Sequence, residues 1–412
     1  MRLTLLTMLL GAVTLPVFAD QSCDVGVYGQ SRDFVVITRT EDGFRYGLAD
    51  GRVGDPSAPD ATVVCAAGSV IADGAHLPRQ PLRISDTTFD AEGTPLRGRL
   101  IEPMDAGANT PLVVYAHGSE RSGWIDHVPD PYQMVARGIS VFVFDKRGTG
   151  QSGGRYSQNI PRLASDLVFA SGEARRLAGE RFGRFGFIGL SQGGWVAPYA
   201  AAAAGAEFVA VGYGLVASIL EEDAAEIDLA LREAGYGSDV IRQARRITDA
   251  TARIATTGSE EAVRALETLR AEFAEQPWIA HVEGDFTGLL FNATTDEILT
   301  SLGPYFESLD VDWSVDPVAV VAEVTVPQLW VLAGADREAP IDLTLDRLRT
   351  LQEEREDMTV AVFPDADHGM WEFETGEGDA RNYTRIASGY YDLVADWILG
   401  DLSGPYGSAI LE

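Results

Sequence analysis

The sequence predicts an α/β fold: a mostly parallel sheet covered by helices on both faces, with one helical insertion and a small β-rich segment ahead of it. Six short apolar runs, at 112–117 (LVVYAH), 139–144 (ISVFVF), 184–189, 207–213, 327–333 and 358–363, are continuous rather than alternating, as strands buried on both faces of a parallel sheet must be. Stretches of helical character at 161–180, 192–204, 342–354 and 383–399 lie between and after them, where parallel strands need crossover connections. The alternation breaks once, over 218–313. There Val240, Ala244, Ile247, Thr251 and Ile254 recur at helical spacing behind a candidate Ser238 cap, and Val263, Leu266, Leu269 and Phe273 do the same.

Ahead of the sheet, 33–40 (DFVVITRT) and 43–49 (GFRYGLA) flank Glu41-Asp42 as a hairpin, and a further apolar strand runs from Val63 to Ala66. Residues 20–80 thus form a small β-rich module. Segments 82–89 and 96–103, joined at Glu92-Gly93, open the main sheet, so that 81–217 and 314–412 make one domain interrupted by the insertion at 218–313. Residues 1–19 combine Arg2, an apolar run from Leu3 to Val17 and small residues at Val17 and Ala19, the layout of a cleavable export signal. A membrane anchor is the competing reading, but the run is shorter than the ~20 residues that span a bilayer.

Cys23 and Cys65 are the two cysteines. Export to an oxidising compartment predicts that they pair, with a pair of free thiols as the alternative. On the chain-entropy model such a closure constrains the unfolded chain by about 4 kcal/mol at most. The 32 basic and 62 acidic residues leave a net charge of −30, which repels nucleic acid, anionic membranes and polyanionic substrates. Lys146 is the only lysine.

Gly189-Leu190-Ser191-Gln192-Gly193 follows a strand and precedes a helix, the setting that puts a serine on a sharp, strained turn with its hydroxyl exposed. A serine hydroxyl needs an adjacent base. Of the five histidines only His281 and His368 follow Ser191; His281 falls in the insertion, whereas His368 follows the strand at 358–363. Asp336, just past the strand at 327–333, is the expected orienting acid, completing the order Ser, Asp, His. Asp342, Asp365 and Asp367 read better as helix-start and turn carboxylates. Two backbone N–H groups should face the oxyanion, from Gln192 and from Ser119 in the loop His117-Gly118-Ser119, with His117 holding that loop. No metal-ligand spacing, phosphate loop or dinucleotide fingerprint is present, and the predicted chemistry needs no cofactor.

Together His117-Gly118, the run Asp145-Lys146-Arg147-Gly148-Thr149-Gly150-Gln151-Ser152, the Ser191 elbow, Asp336 and Asp367-His368-Gly369 resemble the α/β-hydrolase superfamily, and within it bacterial carboxylesterases and serine aminopeptidase-like hydrolases. The likeness covers roughly residues 80–400. It implies an α/β-hydrolase fold in which the Asp145–Ser152 turn is structural, Arg147 pairs locally and the insertion caps the site. Val240, Ile247, Leu266 and Phe273 would then wall an acyl pocket or form the cap's own core.

A serine at the elbow implies small ester, thioester or amide substrates rather than halides or epoxides. Esters of short or medium acyl groups are the first expectation, aminoacyl or prolyl amides the second. The amide reading draws on Glu221-Glu222-Asp223, which could hold a substrate amine, although in so acidic a chain such a run is more often a solvated face. Export and the negative surface disfavour a coenzyme A thioester. A non-catalytic binding protein on the same fold would have lost a member of the triad, and all three members are present in order.

Overall fold

The computed structural model describes residues 23–412; the predicted export signal lies outside them. Cys23 and Cys65 form a disulfide with their Cα atoms 5.4 Å apart. The N-terminal segment holds a sheet of β1 (Gly26–Gln30), β2 (Asp33–Arg39), β3 (Phe44–Leu48) and β4 (Val53–Gly54), and a second of β5 (Val63–Ala66), β6 (Ser69–Ala72) and β7 (Ala75–Pro78). Alternation along its strands sends one set of side chains to each face. Tyr28, Val35 and Ile37 pack with Val63, Val70 and the two cysteines, whereas Val27, Phe34 and Val36 join the core of the main domain.

The main sheet begins with a long antiparallel hairpin, β8 (Leu82–Ala91) and β9 (Thr94–Pro103), whose turn places Glu92 and Gly93 at φ 52° and 82°. Positive φ at both central residues fits the right-handed twist of the flanking strands. Next come β10 (Leu112–Ala116), α1 (Asp130–Ala136), β11 (Ser140–Phe144), α2 (Ile160–Ala178), β12 (Phe185–Leu190), α3 (Gly193–Ala204) and β13 (Val209–Gly212). The insertion contributes α4 (Ile219–Glu233), α5 (Ser238–Thr257), α6 (Glu260–Phe273), α7 (Thr287–Asn292), α8 (Thr295–Glu297) and α9 (Gly303–Leu309). The chain returns through α10 (Pro317–Glu323), β14 (Gln328–Ala333), α11 (Asp342–Gln352) and β15 (Met358–Phe363). After β15 come a three-stranded sheet of β16 (Ala366–Asp367), β17 (Trp371–Thr375) and β18 (Arg381–Ile386), then α12 (Tyr390–Leu399) and β19 (Ile410–Leu411).

The sheet order is β19-β15-β14-β13-β12-β10-β11-β9-β8, parallel from β11 to β15 and antiparallel at its edges. Val114, Phe142, Phe187, Val211 and Trp330 face α2 and α3, while Val113, Val141, Ile188, Ala210 and Leu329 face α1 and α12. Both faces are therefore covered, which is why these strands read as unbroken apolar runs.

Three expectations need correcting. Residues 383–389 are not helical: Arg381–Ile386 pairs with β17, and α12 starts only after Gly389 at φ 86°, because the ladder to β17 rather than local periodicity sets the backbone of this segment. Ser238 is the first residue of α5 rather than its cap, which is Gly237. Ile247, Leu266 and Phe273 bury into the insertion's own core, with Val240 packed at its edge, so they wall no acyl pocket.

Candidate active site

At the end of β12 the chain must reverse within two residues to begin α3. Ser191 makes the turn with φ 51°, a left-handed conformation costly for a residue with a Cβ and stored here by the surrounding packing. A Cβ on Gly189 would run into the Gly193 carbonyl, and one on Gly193 into the Ala116 carbonyl, which is why both flanks of the serine are glycine.

His368 follows β15 and β16, and its Nε2 lies 3.1 Å from Ser191 Oγ. Its Nδ1 lies 2.8 Å from Asp336 Oδ2. That second bond assigns the neutral ring's proton to Nδ1 and leaves the Nε2 lone pair facing the serine. Asp336, buried just beyond β14, is held by the Ala339 N–H at 2.7 Å. Burial works against protonating His368, but the hydrogen bond to Asp336 and the charges of Asp336, Glu338 and Glu222 prevail and push the imidazole up to about 9. Glu338 Oε1 stands 3.6 Å from Nε2, and Tyr213 packs edge-on against the ring.

The rival carboxylates sit elsewhere. Asp342 begins α11 and reaches Arg232, while Asp365 is exposed. Asp367 is structural: Oδ1 accepts from the N–H groups of His368 and Arg337, and Oδ2 from Tyr383 and Arg381. It thereby ties the histidine loop to the acid loop. His281 lies in the insertion, against Tyr236.

On the other side of Ser191 the loop after β10 comes close enough that a Cβ on Gly118 would stand 3.5 Å from the serine Cβ. Neither Ser119 N–H nor Gln192 N–H has an acceptor among the described residues. Buried His117 holds this loop, Nδ1 bonded to Glu120 Oε1 at 3.0 Å and Nε2 accepting from the Lys146 N–H at 3.0 Å. In the turn after β11, Asp145 accepts from the N–H groups of Trp124, Ile125 and Gln151, and Arg147 forms a buried pair with Asp166 of α2.

The acidic run opening α4 is not a solvated face. Glu221 closes the capping box with Ser218 and pairs with Arg347, whose hydrogen bond holds it down at about 2. Asp223 accepts from Phe286 N–H, Thr287 N–H and the Thr287 hydroxyl. Only Glu222 is left toward His368, and burial pushes its carboxyl well up. Sequence reasoning missed Glu338 and the brace made by Arg381 and Tyr383.

The sequence model described as the Alpha/beta hydrolase family matches residues 113–378, more than half of the chain. The chain belongs to this family. Among solved structures, this α/β-hydrolase is similar to an esterase of Pyrococcus furiosus, at 16% identity and TM-score 0.44 over 70% of this chain and 83% of that one. It is also similar to the Pyrococcus horikoshii acylaminoacyl peptidase, at 13% identity and TM-score 0.44 over 84% of this chain and 46% of the other. A third, Est1E from Butyrivibrio proteoclasticus with ferulic acid bound, has 15% identity and TM-score 0.44 over 76% and 96% of the two chains. No curated protein matches the sequence.

Proposed function

We propose that this α/β-hydrolase is an exported serine hydrolase that cleaves carboxylic esters with short or medium acyl groups through an acyl-enzyme on Ser191. The observation that carries the reading is the continuous line from Ser191 Oγ through His368 to Asp336, at 3.1 and 2.8 Å. In this reading Nε2 takes the serine proton as Oγ attacks the acyl carbon, and the carbonyl oxygen becomes an oxyanion facing the N–H groups of Ser119 and Gln192. The imidazolium then protonates the departing alkoxide. Water attacks the acyl-enzyme in the same way, releasing the acid and restoring the serine.

Helices α4–α9 would act as a cap over residues 81–217 and 314–412, with 20–80 as a separate module. The Cys23–Cys65 disulfide supports export. Short acyl groups are favoured because the cap spends its apolar surface on its own core.

Aminoacyl amides are the second reading, favoured by Glu222 and Glu338 near His368. Against it, burial pushes the Glu222 carboxyl well up, and so disfavours the charged form that pairing with an ammonium requires. The deciding experiment is turnover of p-nitrophenyl esters of graded acyl length beside aminoacyl and prolyl anilides. Efficient hydrolysis of the anilides, abolished by Glu222→Gln, would replace the ester reading.

A further inference from the structure

Lys146 is an expensive residue as placed. It is the chain's only lysine and is 3% exposed, and no carboxylate among the described residues lies within ion-pairing distance of its ammonium. Burial pulls it down to about 8, with Glu120 working against that shift and Arg121 with it. A buried cation bonded to no carboxylate is a poor way to stabilise a fold, and an apolar side chain of similar length would be cheaper. What the ammonium touches gives the reason. Nζ donates to the Gly118 carbonyl oxygen at 2.5 Å and to Gln192 Oε1 at 3.1 Å, and lies 4.9 Å from the centre of the Tyr156 ring.

Gly118 C=O and Ser119 N–H belong to the same peptide unit. That unit is planar and trans, so the N–H points opposite the C=O. A cation drawing the oxygen backward therefore aims the N–H forward, and it also polarises the unit so that the N–H becomes a stronger donor. Through Gln192 the same ammonium restrains the residue carrying the second free N–H. Tyr156 holds the next peptide by donating its hydroxyl to the Ser119 carbonyl.

We propose that Lys146 is a positioning residue for acyl transfer, one that aims and polarises the Ser119 N–H through the Gly118 carbonyl and registers it with Gln192. The proposal rests on Ser191 being the acylated residue. Removing one oxyanion donor in another serine hydrolase slows turnover about 10²–10³-fold, and a donor that is misaimed rather than lost should do less.

The test compares the wild type with Lys146→Met and Lys146→Gln, measuring kcat and KM on p-nitrophenyl acetate and the rate of phosphonylation by a fluorophosphonate, whose phosphoryl oxygen occupies the same hole. Lys146→Met should lower kcat about 10- to 100-fold with KM within about threefold, and slow phosphonylation in parallel. Lys146→Gln, which keeps a donor without the charge, should recover part of both rates. Wild-type kcat and labelling rate in Lys146→Met, or a loss confined to KM, would overturn the proposal. Should Lys146→Met not fold, Lys146→Gln decides: an undiminished kcat overturns the proposal, and a fall of about tenfold with KM held upholds it. A wild-type protein that takes no label on Ser191 would instead sink the ester-hydrolase reading beneath it.

Discussion

The two flanks of Ser191 are built differently: one holds an ammonium, and the other gathers carboxyl groups around an imidazole. On one side, the loops after β10 and β11 bring a buried ammonium, Lys146, a buried imidazole, His117, whose protonation burial disfavours, and the Glu120 carboxylate bonded to that ring. On the other, the loops after β14 and β15 and the start of α4 bring Asp336, Glu338 and Glu222 around His368. Acyl transfer at a serine separates charge in the same sense, with negative charge growing on the carbonyl oxygen and positive charge on the imidazole. The Lys146 ammonium and the Asp336 carboxylate stand along that separation, and charges fixed in advance need not reorganise during the reaction. The flanks also differ in exposure: Lys146 is sealed, whereas the Glu338 side chain is 60% exposed.

The comparison breaks most decisively at its centre. Ser191→Ala and His368→Ala should each lower kcat by about four orders of magnitude or more, and the double variant should be little worse, because nucleophile and base act as one unit. More than a few per cent of wild-type activity in either single variant would remove the assignment. Asp336→Asn should lose about 10³–10⁴-fold by presenting the wrong tautomer of His368. If Asp367→Asn lost more, the orienting acid would have been misassigned.

A smaller effect tests the field itself. His368 acts only when neutral, so kcat/KM should rise with pH through about 9. Glu338→Gln removes a negative charge 3.6 Å from Nε2; the imidazolium is then less stabilised, its pKa falls, and the rising limb should move to lower pH. A limb that stays put or moves upward would show that the acidic flank does not govern the base. Smallest of all for catalysis, Cys23→Ser with Cys65→Ser touches neither flank. It should lower Tm, with up to about 4 kcal/mol of stability lost, while kcat/KM stays within about twofold.

Much of the fold and site was legible because its signals are local. An apolar run with no polar alternation needs helices on both faces, and a serine between glycines at a strand-to-helix junction marks a turn tight enough to present a nucleophile. What stayed hidden was set by distance along the chain. Nothing near Lys146 indicates that its ammonium will meet Gly118, 28 positions earlier, and Gln192, 46 positions later. Glu221, Glu222 and Asp223 are one run of acid in sequence, but the helix turns them to an arginine, the active site and the start of α7 in succession, so their roles separate only in three dimensions. The strand at 381–386 escaped because its few apolar residues fit both periods, and pairing with β17 decides between them.

A chain with a single lysine, sealed beside Ser191, behaves unusually toward reagents that seek amines. On the folded protein, acylating labels and amine-directed crosslinkers find no lysine on the described surface. Any modification that does reach Lys146 requires the loops around Gly118 and Tyr156 to part, and its rate would then count how often they do.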